Sequence, residues 1–201
     1  MKLLLLGATG RTGQHVMTLG QAAGYHITAF GRRATKDADH SITGSFDDRT
    51  FAQAVLEADA VLSCLASTNK EPVCSRAATA ALKADPNIRY LTIAGAGVDR
   101  PEDEKGLPDK MIGLIMRMTV GRMLADRQRE VDMLAAGSAQ WTALRPPRLT
   151  DGKASGQWAA TYDRPAATWI DRQDLAAAMI AAINDVAMIN RAPFISAKPK
   201  E

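Results

Sequence analysis

The residues whose spacing carries the most chemistry are three glycines in Gly7-Ala-Thr-Gly-Arg-Thr-Gly13. The apolar run Leu3 to Leu6 precedes them, and a stretch with Val16, Met17, Leu19 and Ala23 on one side follows. Strand, glycine turn and helix in that order form the context a dinucleotide-binding loop requires. Gly7 permits the tight turn, Gly10 admits a pyrophosphate close to the backbone, and Gly13 lets helix and strand pack closely. The helix start then offers unpaired N–H groups and a partial positive charge to phosphate oxygens. A second position follows from the same geometry. Tyr25 to Phe30 reads as the next strand, and Gly31-Arg32-Arg33 closes it about 20 residues after the loop, where such folds meet the adenosine ribose. An acid there would take the 2′-hydroxyl of NAD. Arg32 and Arg33 suit a 2′-phosphate instead, so NADP(H) is expected in preference to NAD(H).

These positions need a sheet to hold them. Ser41 to Gly44 reads as a third strand, Asp47 as the cap of a helix carrying Phe51, Ala54 and Val55, and Asp59 to Leu65 as a fourth strand. The end of that strand, Ala66-Ser67-Thr68, falls beside the cofactor. A helix from about Pro72 places Cys74, Ala77, Ala78, Ala81 and Leu82 on one face, which makes Cys74 a core residue. Arg89 to Ala94 is a fifth strand, running into Gly95-Ala-Gly97, and Val98 to Pro108 is a loop. The stretch Asp109 to Ala136 has Met111, Ile112, Ile115, Met116, Met118, Met123 and Leu124 at helical spacing, with Gly121 as a candidate break. These side chains suit core or dimer packing. Trp141 to Arg145 is a sixth strand, ending at Pro146-Pro147-Arg148. Asp171 caps a last helix bearing Leu175, Met179, Ile180 and Ile183, with Asp174 at the capping-box position. Pro193 to Ser196 reads as a terminal strand. Strands alternating with helices predict an α/β fold, a doubly wound parallel sheet of Rossmann type forming a single three-layer domain over residues 1–201. Substrate-site segments are expected at about 98–125 and 146–170.

Bulk properties narrow the function classes. A hydrophobic share of 46% and a charged share of 23% are ordinary for a globular protein. The net charge is +3 with no run of five basic residues, so nucleic-acid binding is not expected. Cys64 and Cys74 suggest neither a redox pair nor a metal site, and a reducing compartment is the easier assumption. Lys2 and four leucines are too short for a secretory core, and no stretch approaches the ~20 apolar residues of a membrane span. A cytoplasmic protein without membrane contact is expected, as monomer or homodimer.

Taken together, the glycine loop, Arg32, Asp59-Ala-Val, Leu144-Arg-Pro-Pro-Arg-Leu-Thr-Asp-Gly152 and Ile170-Asp-Arg-Gln-Asp-Leu-Ala176 resemble one family. It is the NAD(P)H-binding, NmrA-like branch of the atypical short-chain dehydrogenases, which includes biliverdin-IXβ and flavin reductases. The resemblance implies that Thr9, Arg11 and Thr12 join the glycines in holding the diphosphate. It implies that Arg32 holds the 2′-phosphate with Arg33 as helper, and that Ser45 and Phe46 flank the adenine. Leu65, Ala66 and Ser67 would line the ribose and diphosphate. Pro146 and Pro147, with Arg148 and Leu149, would border the nicotinamide. Two departures matter: Gly95 stands where these reductases carry a serine, and Arg148 where they carry a histidine. Tyr25, Tyr90 and Tyr162 are each followed four residues later by alanine, so the tyrosine–lysine pair of classical short-chain dehydrogenases is absent. No catalytic residue can be named.

The expected function is therefore NADPH-dependent hydride transfer to an electron-poor small molecule of the flavin, quinone or tetrapyrrole class. Such acceptors need proximity and stacking more than a dedicated acid. Arg148 is the expected substrate-binding residue, stabilising negative charge or anchoring an anion. A non-catalytic NADP(H)-binding redox sensor of NmrA-like type is the alternative. A nucleotide-sugar epimerase or dehydratase is a third reading, weakened by the missing tyrosine–lysine pair.

Overall fold

The computed structural model describes residues 1–68, 71–104 and 107–199, with the backbone alone for 107–120. Six strands make one parallel sheet: β1 (Lys2–Leu6), β2 (His26–Gly31), β3 (His40–Thr43), β4 (Ala60–Ser63), β5 (Arg89–Ile93) and β6 (Gln140–Leu144). Their order is β3-β2-β1-β4-β5-β6, so the chain winds outwards in both directions from β1. The carboxyl ends of β1 and β4, neighbours across the reversal, form the crevice in which such sheets bind ligands.

The central position of β1 explains its unbroken apolar run. Leu3 and Leu5 pack with Val16, Met17, Leu175 and Met179 on one face. Leu4 and Leu6 pack with Phe30, Phe51, Ala77 and Tyr90 on the other. A strand covered on both faces has no polar alternation to show. The first layer of helices is α1 (Arg11–Ala22) with α5 (Arg172–Ala182). The second is α2 (Arg49–Leu56), α3 (Val73–Ala84) and α4 (Leu107–Ala136). Three further short strands, β7 (Arg148–Thr150), β8 (Trp158–Thr161) and β9 (Trp169–Asp171), precede α5, and β10 (Phe194–Ala197) follows it. In register, β7 pairs with β9 in parallel and β8 with β10 in antiparallel fashion.

Several expectations are corrected. The helix of residues 107–136 begins inside the expected loop and runs unbroken through Gly121. Met111, Ile112, Ile115, Met116 and Met118 lie outside the described side chains, whereas Met123 and Leu124 are half-buried. The N-cap position of α2 is Asp48, whose carboxylate accepts from the Ser45 N–H and not from the helix, and Asp47 instead pairs with Arg76 at 2.8 Å. Asp171 caps α5 as expected, its carboxylate accepting from the Gln173 N–H at 2.9 Å. Asp174 is no capping-box partner. Its buried carboxylate accepts from the Ser155 N–H, the Ser155 hydroxyl and the Gly156 N–H, each at 2.9 Å, and so ties the 151–157 loop to α5. Strands β7 to β9 fall in a stretch read only as a site segment, because three- and four-residue strands are too short to show a period.

Candidate functional site

At the centre of the carboxyl edge the backbone does the work. Gly7 has φ +78°, and a Cβ there would stand 2.7 Å from the Cys64 carbonyl oxygen of the neighbouring β4 turn. At Gly13 a Cβ would overlap the Gly7 carbonyl oxygen and press on Ala8, so a side chain would force α1 away from the loop. The Gly10 N–H donates to the Gly7 carbonyl at 3.0 Å, closing the turn. Gly10 is also the N-cap of α1 and supplies no side-chain acceptor, and the first turn holds no acid. The leading N–H groups of α1 are thus left for an outside anion, and the residues present fit a dinucleotide diphosphate. Thr9, Gly10 and Arg11 are exposed there, and Thr12 is half-buried.

The other expected cofactor residues fall around this seat unequally. Arg32 and Arg33 stand exposed past the end of β2 and make no ion pair among the described residues. Ser45 is exposed and its N–H donates to the Asp48 carboxylate at 2.6 Å. Phe46 is half-buried against Phe51, ring centres 5.1 Å apart at 71°, so one part of its ring is committed to the core. Leu65 is half-buried and Ala66 exposed at the end of β4. Ser67 is buried, and its hydroxyl donates to Asp126 of α4 in a short contact. Only its backbone remains to face a ligand.

The β4 turn is held from behind by charged groups that spacing alone did not single out. Asp126 accepts from Ser67, from the Cys74 and Ser75 N–H groups at 3.0 and 3.3 Å, and from the Ser75 hydroxyl. It caps α3 from another helix. Burial alone would raise the Asp126 pKa, but the hydroxyl and N–H donors outweigh it and hold the carboxyl below its usual range. The next residue, Arg127, donates to the Leu65 carbonyl and pairs with buried Glu130 at 2.7 Å. Glu130 in turn accepts from Thr92 of β5 at 3.0 Å. A polar stripe one turn apart on α4 was the available signal, masked by the many other charges of that helix. Burial pushes the Cys64 and Cys74 thiols up to about 12 and about 11, so neither is a thiolate nucleophile at neutral pH. No group of His, Cys, Asp or Glu suited to a metal occurs among the described residues.

The family model described as NAD(P)H-binding matches residues 7–186. The chain belongs to this NAD(P)H-binding family. The NAD(P)H-binding fold also recurs in solved structures of low identity. ChuY, an anaerobilin reductase from Escherichia coli O157:H7, is 20% identical over 100% of this chain and 99% of its own, with a TM-score of 0.82. A candidate NADH-flavin reductase from Streptococcus pneumoniae is 20% identical over 98% of this chain and all of its own, with a TM-score of 0.79. A candidate NAD-dependent epimerase/dehydratase from Bacillus halodurans is 16% identical over 100% and 95%, with a TM-score of 0.79. No curated protein matches the chain. Among the described residues no helix is long and apolar enough to cross a membrane.

Past this seat, towards β5 and β6, the NAD(P)H-binding fold is completed by side chains. The Ala96 N–H donates to the Pro146 carbonyl at 2.8 Å, which joins the Gly95 turn to the double proline. Pro146 is buried and Pro147 half-buried. Gly95 has φ +89°, and a Cβ there would meet nothing within 4 Å. Arg145 is fully buried. Its guanidinium donates to the Ala192 and Val98 carbonyls at 2.7 and 3.1 Å, pairs with Asp103 at 2.7 Å and lies 3.8 Å from the centre of the Phe194 ring. It pins the 98–103 segment and the last strand behind the prolines, a structural duty. Arg148 follows on the outside, exposed and without an ion pair among the described residues. From Arg148 the β7 strand leads back across the edge to Asp151. There the carboxylate bridges Arg172 at 2.5 Å and Arg11 of the glycine loop at 2.7 Å. Arg11, expected on the diphosphate, is thus already shared with a carboxylate.

Proposed function

We propose that this chain is an NADPH-dependent oxidoreductase that passes hydride to an electron-poor planar acceptor of the flavin, quinone or tetrapyrrole class. The observation that supports it most is the phosphate seat itself, a glycine-built turn and a helix start with no capping side chain, with exposed Arg148 further along the same edge. When bound there, the nicotinamide supplies hydride, and with one solvent proton NADPH and oxidised acceptor become NADP⁺ and reduced acceptor. The chain's own residues bind and orient. Gly7, Thr9, Gly10, Arg11, Thr12 and Gly13 hold the diphosphate through the α1 N-terminus. Arg32, helped by Arg33, selects the 2′-phosphate of NADP. Ser45 and Phe46 flank the adenine. Leu65, Ala66 and Ser67 present backbone to the ribose, and Pro146 and Pro147 border the nicotinamide. Arg148 stabilises negative charge developing on the acceptor. No side-chain acid is required, because a conjugated anion is delocalised and can take its proton from water.

The test is NADPH oxidation by folded protein with riboflavin, flavin mononucleotide and a small quinone. Acceptor-dependent turnover with at least one is expected. The second reading, a non-catalytic NADP(H) sensor, is favoured by Gly95, which brings no hydroxyl to the end of β5. Tight NADP(H) binding with no turnover on any acceptor would select it.

A further inference from the structure

Trp169 is the one large aromatic residue among the described exposed hydrophobics, at 40% exposure, and it lies in the expected segment 146–170 without an individual role there. Its neighbours explain where it stands. In the register of the β7–β9 pair, Trp169 lies directly opposite Arg148. Paired residues of parallel strands project from the same face, while successive residues alternate. Ile170, next to Trp169, is fully buried in the core with Leu175 and Met179. Trp169 and Arg148 therefore share the face turned away from the core. The ribbon is fixed at both ends. The Arg148 N–H donates to the Thr168 carbonyl at 3.3 Å, Pro146 is held by the Gly95 turn, and Asp171 is buried as the α5 cap. An indole on a scaffold this tightly held, beside a guanidinium with no ion pair among the described residues, is an arrangement that stability does not call for. A buried indole would contribute more to the core, and a polar residue would solvate the face better.

We infer that Trp169 and Arg148 form the acceptor subsite, a rigid aromatic face with a cation beside it, specific for planar conjugated acceptors that carry an anionic group. The indole stacks on the conjugated ring, and the guanidinium takes the phosphate or carboxylate or the charge that reduction places on the ring. The inference deepens the proposed hydride-transfer reading and rests on it for the location of the nicotinamide. It adds the aromatic partner, Trp169, and places it with Arg148 on one face of the β7–β9 ribbon. Trp169 is thus a specificity-determining residue.

Calorimetric titration of NADP⁺-saturated protein with flavin mononucleotide tests the subsite without turnover. Trp169→Ala should raise the flavin Kd about tenfold, the scale of one stacking contact. Trp169→Phe should restore most of it, and neither should move the NADP⁺ Kd. Arg148→Ala should weaken flavin mononucleotide about tenfold, and riboflavin, which lacks the phosphate, less. No binding of flavin mononucleotide to the unaltered protein, or an unchanged Kd in Trp169→Ala, overturns the inference. Trp169-dependent binding without turnover sustains the subsite and instead removes the hydride-transfer reading.

Discussion

The two ends of the carboxyl edge are built from different material. At the β1–β4 end, the seat is backbone: a glycine turn, an uncapped helix start and the Cys64–Ser67 turn braced by Asp126 and Arg127. At the β5–β6 end, side chains on a short ribbon face outward, and a Cβ on Gly95 would meet nothing within 4 Å. A backbone seat admits few sequences and serves one ligand feature, the diphosphate. A side-chain seat can change its residues without disturbing the sheet. Such a division lets one fold keep its cofactor while its acceptor varies.

The comparison is broken most forcefully by placing side chains on the two glycines. Gly13→Val should abolish cooperative folding or lower stability by several kcal/mol, because its branches would meet the Gly7 carbonyl and Ala8. Gly95→Ser should cost only about 1–2 kcal/mol, the price of a positive φ without a clash. Thermal melts followed by circular dichroism would separate the two, and equal losses would deny the contrast. At the brace, Asp126→Asn should lower stability by about 1–3 kcal/mol by weakening four donors' shared acceptor. Its folded pKa is depressed, so the contribution is present above the unfolded value of about 3.9 and is lost as pH falls through the lower folded value. Denaturant melts should show the variant and the unaltered protein converging below about pH 4. Asp151→Asn should change stability by less than about 1 kcal/mol, as its pair with Arg11 is exposed, but should tighten NADPH two- to threefold by releasing Arg11. Fluorescence titration would read that, and weaker binding would mean that the bridge aids the cofactor. The smallest effect concerns the thiols: at pH 8, iodoacetamide should leave Cys64 and Cys74 unmodified in the folded protein, checked by mass spectrometry.

What was legible in the residues follows the same division. Gly7 and Gly13 announced their geometry because only glycine permits it, and the central strand β1 announced itself by an unbroken apolar run. Asp171 signalled its capping role for the same reason, a local rule with a local cause. Long-range duties left no such mark. Arg145 reads as a charged residue bordering a site, yet it is fully buried between Asp103 and Phe194, partners distant in sequence. Asp174 matched a capping pattern and serves a loop instead. Trp169 drew no attention, because its meaning depends on a register with Arg148 that three-residue strands do not reveal.

The central claim is that this edge seats NADP(H), with Arg32 reading the 2′-phosphate. Fluorescence titration of NADPH and NADH against the unaltered chain and Arg32→Ala tests it directly. NADPH should bind at least about tenfold tighter than NADH, and the substitution should erase that preference while leaving NADH unchanged. Equal affinities in the unaltered chain, or a preference that survives the loss of Arg32, would contradict it.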